Sequence, residues 1–402
     1  MRILAVHNYY GKGAPSGENV VADMEIELLK RKGHSVEVFR RDSDEIRSQG
    51  PWGVLKGACS TPWNPFSAKS FRAMIERVEP DIIHVHNTFP LISPSIFHSA
   101  GKKAPIVLSL HNYRLFCAAA TLQRQENVCT QCIDLQSAMP ALLHGCYRAS
   151  RAATAPIAAG IELHRLLNTW STKIDAFIAL SDFQKNLMAQ GGLPVSQVHV
   201  KPNFYAGTPT QIPWSARHPT ALFVGRLTQE KGIRTLLEAW ALGKRLGLLL
   251  PKLRVVGDGP LREMLVGQAS GLDIEILGGL TREDTIKEVS QAKLLIVPSE
   301  WHETFGMVVL EAFAHGTTVA ASNMGALPSL IQENINGRIF KPGNPEILAR
   351  TIADLWAKDS HLSSLGREGR ATFEKRFNSE SNYLMLMNIY DSAIKNRMSL
   401  YK

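Results

Sequence analysis

At 402 residues, with 45% hydrophobic and 20% charged residues, the chain has the composition of a soluble globular enzyme large enough for two domains. Its net charge of +9 suits phosphorylated ligands or an anionic membrane surface, and no apolar run approaches the roughly 18 residues that would span a bilayer. Met1–Val6 meets His7 too soon for a secretory apolar segment, so a cytoplasmic location is expected, at most peripheral to the inner membrane face.

Arg2–His7 reads as a short buried strand, followed by a polar loop to Gly17, a helix from Glu18 to Arg31 and a second strand over His34–Arg41. This is a β-α-β opening. The glycine spacing Gly11, Gly13, Gly17 misses the dinucleotide fingerprint by one residue, which argues against a nicotinamide cofactor. Gly17 could instead let the backbone approach a ligand. Asp42-Ser43-Asp44 spells D-x-D but sits in an Arg/Asp/Glu cluster and reads as a solvated turn rather than a metal site. Asp81–His86 and Ile106–His111 are further strands, with His86 and His111 at the carboxyl ends where ligand crevices of doubly wound sheets form.

Residues 112–173 break this rhythm with four cysteines and a basic, largely helical stretch. Within it, Cys146–Lys173 carries Arg148, Arg151, Arg165 and Lys173 among apolar residues, a pattern that suits a helix touching anionic lipid or one packed on its own domain. Strands resume at Ile174–Leu180 and Val198–Lys201, and residues 206–219 read as a linker. The expected first domain is 1–205 and the second 220–375, with 376–402 a terminal helix returning to the first.

The second half starts again with Ala221–Val224 as a strand and a glycine-rich turn carrying Arg226 and Lys231, two cations placed to clamp phosphate oxygens. Leu253–Val256, Ile274–Leu277, Leu294–Val297 and Thr317–Ala321 continue a parallel sheet, with helices over Pro345–Lys358 and Gly366–Ile394. Between the last two strands, the pattern turns helical from Gly306 to Ala314. Glu303 and Glu311, eight residues apart, would diverge by about 80° on one helix, so Glu303 belongs to the loop and Glu311 to the helix. The free N–H groups near Phe305, Gly306 and Met307 form an anion site between two carboxylates, a layout suited to a nucleotide sugar.

Val224–Leu227 with Lys231-Gly232, Val256–Gly259, Pro298-Ser299 and above all Glu303–Ala312 carry a resemblance to the retaining glycosyltransferases of the GT-B fold, family four. It implies an α/β architecture of two Rossmann-like domains facing a cleft, and a nucleoside diphosphate sugar donor. By that resemblance Arg226 and Lys231 neutralise the diphosphate, and Glu311 binds the ribose. Glu303 faces the transferred sugar. His111 reaches a sugar hydroxyl, and Gly17 and Gly225 line the diphosphate. Leu277, Gly278 and Leu280 surround the base, while Phe305, Gly306, Met307 and Val308 complete the anion site. No active-site metal or cofactor is implied, and the acceptor is expected to be a glycan or a lipid-linked intermediate of surface polysaccharide. The sequence departs from the family at Ser16-Gly17, Gly325-Ala326 and Ser329, which bears on sugar selectivity.

Two other functions fit less well. A nucleotide-sugar hydrolase or epimerase shares the plan; a zinc-bearing nucleic-acid-binding protein lacks a basic-aromatic recognition stretch, so no nucleic acid partner is expected. Cys117, Cys129, Cys132 and Cys146, spaced C-x11-C-x2-C-x13-C, read either as one structural zinc site or as four buried thiols.

Overall fold

The computed structural model describes residues 1–11, 17–101 and 103–399, without the side chains of Arg47 and Ser399; Gly13 and Ser16 lie outside the described residues. The chain forms two compact units: residues 1–124, 129–202 and 382–402 make the first, and 125–128 with 203–381 make the second. Each is built on a six-stranded parallel sheet.

In the first unit the strands are β1 (Arg2–Tyr9), β2 (Ser35–Asp42), β3 (Ile82–Asn87), β4 (Ile106–Leu110), β7 (Ala176–Ala179) and β8 (Val198–Val200). They are hydrogen-bonded in the order β2-β1-β3-β4-β7-β8. A two-stranded ribbon, β5 (Gln123–Arg124) and β6 (Asn127–Val128), lies apart. The middle strands are buried on both faces and are mostly apolar, with β3 carrying His84, His86 and Asn87 into the buried layer. The order in which successive strands are added reverses between β1 and β3, so His7, His86 and Asn87 stand at a topological switch point.

One face of this sheet is covered by the last helix, Ser379–Ser399. Leu386, Ile389, Tyr390 and Ala393 pack on Ile3, Ile82, Val107 and Ile178. The continuous helix expected over Gly366–Ile394 is two helices, Asp359–Arg376 and Ser379–Ser399. Phe377 is buried at the break, and the Asn378 carboxamide accepts from the Ser381 N–H to cap the second helix.

The Arg151–Leu166 helix turns Thr154, Ile157, Ala158, Ile161 and His164 into its own domain, so the Cys146–Lys173 stretch is largely a packing element. Asp42-Ser43-Asp44 turns from the end of β2 at Ser43 into a short helix over Asp44–Arg47, and the Asp42 carboxylate accepts from the Asp44 N–H. Among the described residues, no helix is long and apolar enough to cross a membrane.

The second unit holds β9 (His218–Val224), β10 (Lys252–Val256), β11 (Ile274–Gly278), β12 (Ala292–Val297), β13 (Thr318–Ser322) and β14 (Arg338–Phe340), in the order β11-β10-β9-β12-β13-β14. The stretch read as a linker belongs to this unit. The Thr210 backbone N–H donates to His315 Nδ1, and Trp214 Nε1 donates to Asp359. The sheet reverses between β9 and β12, so the loops leaving these two strands flank its switch point.

Candidate functional site

The loop after β9 carries Arg226 and Lys231; the loop after β12 carries Ser299 and Glu303 and leads into the Met307–His315 helix. Gly232 fixes the two loops together. Its φ of 72° is left-handed, and a Cβ there would overlap the carbonyl oxygen of Pro298. The Glu300 N–H also donates to the Glu230 carbonyl across the switch point (2.9 Å).

This juxtaposition places Lys231 Nζ 2.6 Å from Glu303 Oε1, which also accepts from Ser299 Oγ at 2.8 Å. Burial alone would raise the Glu303 pKa, but the Lys231 ammonium outweighs it and the group is held below the ordinary carboxylate value. Its backbone is pinned as well, since its carbonyl accepts from the Ala326 N–H. Lys231 lies over the Trp301 ring, 5.0 Å from the centroid. Beside Glu303, Gly306 takes the N-cap of the helix at φ 107° and supplies no capping side chain. The first-turn amides at Met307 and Val308, both partly exposed, therefore face a site with positive potential.

Glu311 sits in the second turn of that helix. Burial pushes its pKa up to about 7, and the Arg282 guanidinium 3.5 Å away pulls it down. Arg282 carries no sequence signal beyond its place at a helix start, and its pairing across the unit is a finding of the structure. Phe305 is buried against Phe377, as a packing residue. Gly225 follows β9 and Gly278 ends β11, on either side of β10, and they are joined through Gly257: the Gly257 N–H donates to the Gly278 carbonyl, and a Cβ at Gly257 would overlap the Gly225 carbonyl oxygen. Leu277 is partly buried and Leu280 is at the exposed limit of the same turn. Arg226 differs from its expected partner Lys231: its side chain is 65% exposed and pairs only loosely with Glu230, at 3.4 Å.

In the first unit, His111 Nε2 lies 3.1 Å from His86 Nδ1 and the two rings stack. Burial drives the His111 pKa down to about 3, so the ring is neutral. His86 leads back to a buried group that periodicity does not reveal. Glu25 Oε2 accepts from Lys201 Nζ at 2.6 Å, and Glu25 Oε1 lies 3.1 Å from His84 Nδ1 and 3.7 Å from His86 Nε2. Lys201 also donates to Asn382, and Tyr390 bonds His84, both from the last helix. Burial would raise Glu25, yet Lys201 and His84 hold it below its ordinary value. Among the described residues, Glu25, His84 and His86 are the group of three metal-capable side chains whose ligand atoms lie within 4.8 Å of one another. Lys201 already supplies the cation there.

Asn112 donates to Glu18 at 3.1 Å, and Gly17 opens the first helix, exposed, with nothing within 4 Å of a Cβ built on it. A pocket of about 90 Å³ opens beside His111 and Asn112, walled by Phe97, Leu108, Ile157 and Trp170.

The four cysteines sit in one region of the 112–173 segment, all as free thiols. Burial, aided by Cys117, Cys146 and Cys129, lifts Cys132 to about 11. They are not among the tight metal-capable groups of the described residues.

Residues 209–372 match the family described as glycosyl transferases group 1, and residues 15–205 match glycosyltransferase family 4. An uncharacterized glycosyltransferase of Methanocaldococcus jannaschii, MJ1607, is 36% identical over 149 residues, 36% of each chain. Sulfoquinovosyl transferase SQD2 of Arabidopsis thaliana is 24% identical over 315 residues, 75% of this chain and 54% of that one. The chain thus spans only about a third to a half of these curated relatives. Among solved structures, Anabaena Alr3699/HepE in complex with UDP superposes with a TM-score of 0.67 at 18% identity, covering 98% of this chain and all of that one. The same protein has also been solved with UDP-glucose. The fold of two parallel-sheet Rossmann-like domains is accordingly that of GT-B glycosyltransferases.

Proposed function

Since the chain belongs to the group 1, family 4 glycosyltransferases, we propose that it moves a hexose or related sugar from a nucleoside diphosphate donor to a hydroxyl acceptor, with retention at the anomeric carbon. The observation that carries the donor assignment is the Lys231–Glu303 pair beside an uncapped helix N-terminus at the switch point of the second sheet. That arrangement offers a cation and backbone amides to a diphosphate without requiring a metal, and Glu303 stands ready for the sugar next to it. Glu311, one turn further along, takes the ribose hydroxyls; Leu277, Gly278 and Leu280 flank the base. His111 is the proposed contribution of the first unit, bonding a sugar hydroxyl.

For the chemical step, the bond from the anomeric carbon to the donor phosphate oxygen breaks, and the acceptor oxygen bonds that carbon on the same face. The acceptor proton passes to the departing phosphate oxygen. Relatives that make polysaccharide and glycolipid favour a glycan or lipid-linked acceptor.

Calorimetry with UDP-glucose tests the donor reading, because its diphosphate does not titrate near neutrality. Ionised Glu311 accepts from both ribose hydroxyls, whereas the protonated form loses an acceptor. Affinity is therefore expected to rise about tenfold from pH 6 to 8, and Glu311→Gln should flatten that rise. No binding of any nucleotide sugar or nucleoside diphosphate would remove the assignment. Sugar release at full rate without acceptor would turn it towards a hydrolase.

We also propose that Cys117, Cys129, Cys132 and Cys146 hold one structural zinc. Binding has to draw the sulfurs together, since tetrahedral thiolate bonds of about 2.3 Å set them closer than the free thiols stand. Elemental analysis of protein purified without chelator should give near one zinc per chain. Zinc-free, fully active protein with four titratable thiols ends this proposal.

A further inference from the structure

The Gly50–Ser60 helix has its polarity inverted. Gly53 and Gly57, one turn apart, are its buried residues and face the protein; a Cβ at Gly53 would overlap the Ile46 carbonyl, and one at Gly57 would come within 2.8 Å of Ile46 Cδ1. Trp52, Leu55, Lys56 and Cys59, at helical spacing, form the stripe on the opposite side, and all are exposed. Trp52 is 78% exposed and Leu55 54%. An ordinary surface helix does the reverse, burying its bulky residues and showing its small and polar ones.

The turn that follows extends the surface. Phe66 is 79% exposed, and Trp63 is partly exposed while its inner face stacks on His164. These rings are held outward by a firm frame. Between them, Asn64 is buried, donates to the Leu91 carbonyl at 2.6 Å and accepts from the Ser67 N–H at 3.1 Å. Leu166 and Leu167, just beyond His164, are exposed as well. Residues 46–75 contain Arg47, Lys56, Lys69 and Arg72 and no acidic residue; at the edge of this stretch Glu76 pairs with Arg72 at 3.8 Å.

We propose that this surface docks on an anionic lipid bilayer, with Trp52, Leu55, Trp63 and Phe66 entering the headgroup boundary and Lys56 and Lys69 facing lipid phosphates. Aromatic residues projecting beside Lys56 and Lys69, in a stretch whose cations outnumber the carboxylate at its edge, complement a negatively charged interface. The core of a protein–protein contact is instead depleted in lysine. The surface adjoins the pocket beside His111, since Thr61, Gly160 and His164 line that pocket and a Cβ at Gly160 would lie 3.2 Å from Pro62. Docking would bring the apolar-walled pocket to the headgroup level, where the acceptor end of a membrane-embedded amphiphile is found. This acceptor-delivery role rests on the proposed transfer reaction; lipid binding itself does not.

Flotation of the full chain at low salt, with phosphatidylcholine vesicles and with vesicles containing about 30% phosphatidylglycerol, tests the proposal. The chain should float with the anionic vesicles and far less with the neutral ones. Combined Trp52→Gln, Leu55→Gln and Phe66→Gln substitutions should lower recovery about tenfold or more, because each removes an apolar side chain from the headgroup boundary. UDP binding by calorimetry on the same preparations should be unchanged, so a failed donor assignment and a failed lipid assignment give different results. Equal recovery with both vesicle types, or flotation of the triple variant like the parent, overturns it. So does a bilayer-free dimer that the triple variant dissociates, which would make a second copy the occupant.

Discussion

Replacing Lys231 by alanine is expected to lower sugar transfer at saturating donor by about a hundredfold or more, the cost of losing one well-placed charge donor at the leaving group. Two consequences of the geometry sharpen this. Lys231 Nζ is 2.6 Å from Glu303 Oε1 and keeps that buried carboxylate ionised. Without it, burial dominates and the Glu303 pKa rises, so the residual activity should depend on pH where the parent's does not. Lys231→Arg, which restores the charge, should recover part of the loss. Arg226→Ala should act in the same direction with no change in stability, since that side chain is mostly exposed and only loosely paired. Near-normal turnover of both alanine variants would remove the diphosphate clamp from this loop.

The second large effect falls on stability. Lys201→Met is expected to cost the first unit about 3–5 kcal/mol, because it leaves Glu25 ionised and buried without its partner. The sign of the pH dependence distinguishes this from a simple packing loss. In the parent, Glu25 is held below its ordinary value, so its contribution is present above the unfolded carboxylate pKa and fades as pH falls through the folded one. In the variant the folded pKa moves above the unfolded value, and protonation relieves the penalty. The stability gap between variant and parent should therefore narrow as pH falls towards the unfolded carboxylate range. Adding Glu25→Gln should recover most of the loss. A gap that is constant with pH would show that the lysine acts by packing alone. Urea unfolding at several pH values reads all of these.

The contrast between these two pairs explains what the sequence made legible. Lys231 and Glu303 each follow a strand in a βα rhythm, and both loops flank a switch point that the strand order dictates, so local patterns sufficed to bring them together. Glu303 and Glu311 are separated by a helix start that the sequence marks with Gly306, and the structure begins the helix there without a capping side chain. Glu25 and Lys201 are 176 residues apart and meet only because a helix and a strand end share one buried layer; no periodicity carries that. Arg282 reached Glu311 by the same kind of long-range pairing. The Gly50–Ser60 helix was missed for a different reason. Its small residues face inward, so its apolar spacing marks the side turned to solvent rather than a core. At the carboxyl end, a helical pattern running through Phe377 concealed a break that depends on the tertiary burial of that ring and on Asn378 as a cap.

The last helix has a bearing on how the chain is made. The sheet of the first unit is complete in sequence by Val200, yet Ile3, Ile82, Val107 and Ile178 stay uncovered until Leu386, Ile389 and Tyr390 have been synthesised. Throughout the translation of the intervening unit, one face of the earlier sheet is an exposed apolar surface, with Glu25, Lys201 and His84 lacking the Tyr390 and Asn382 partners that the last helix brings. The usual order, in which an amino-terminal domain is finished before the next begins, cannot apply here. Of the two units, the one begun first on the ribosome closes only after the Ser379–Ser399 helix has been made.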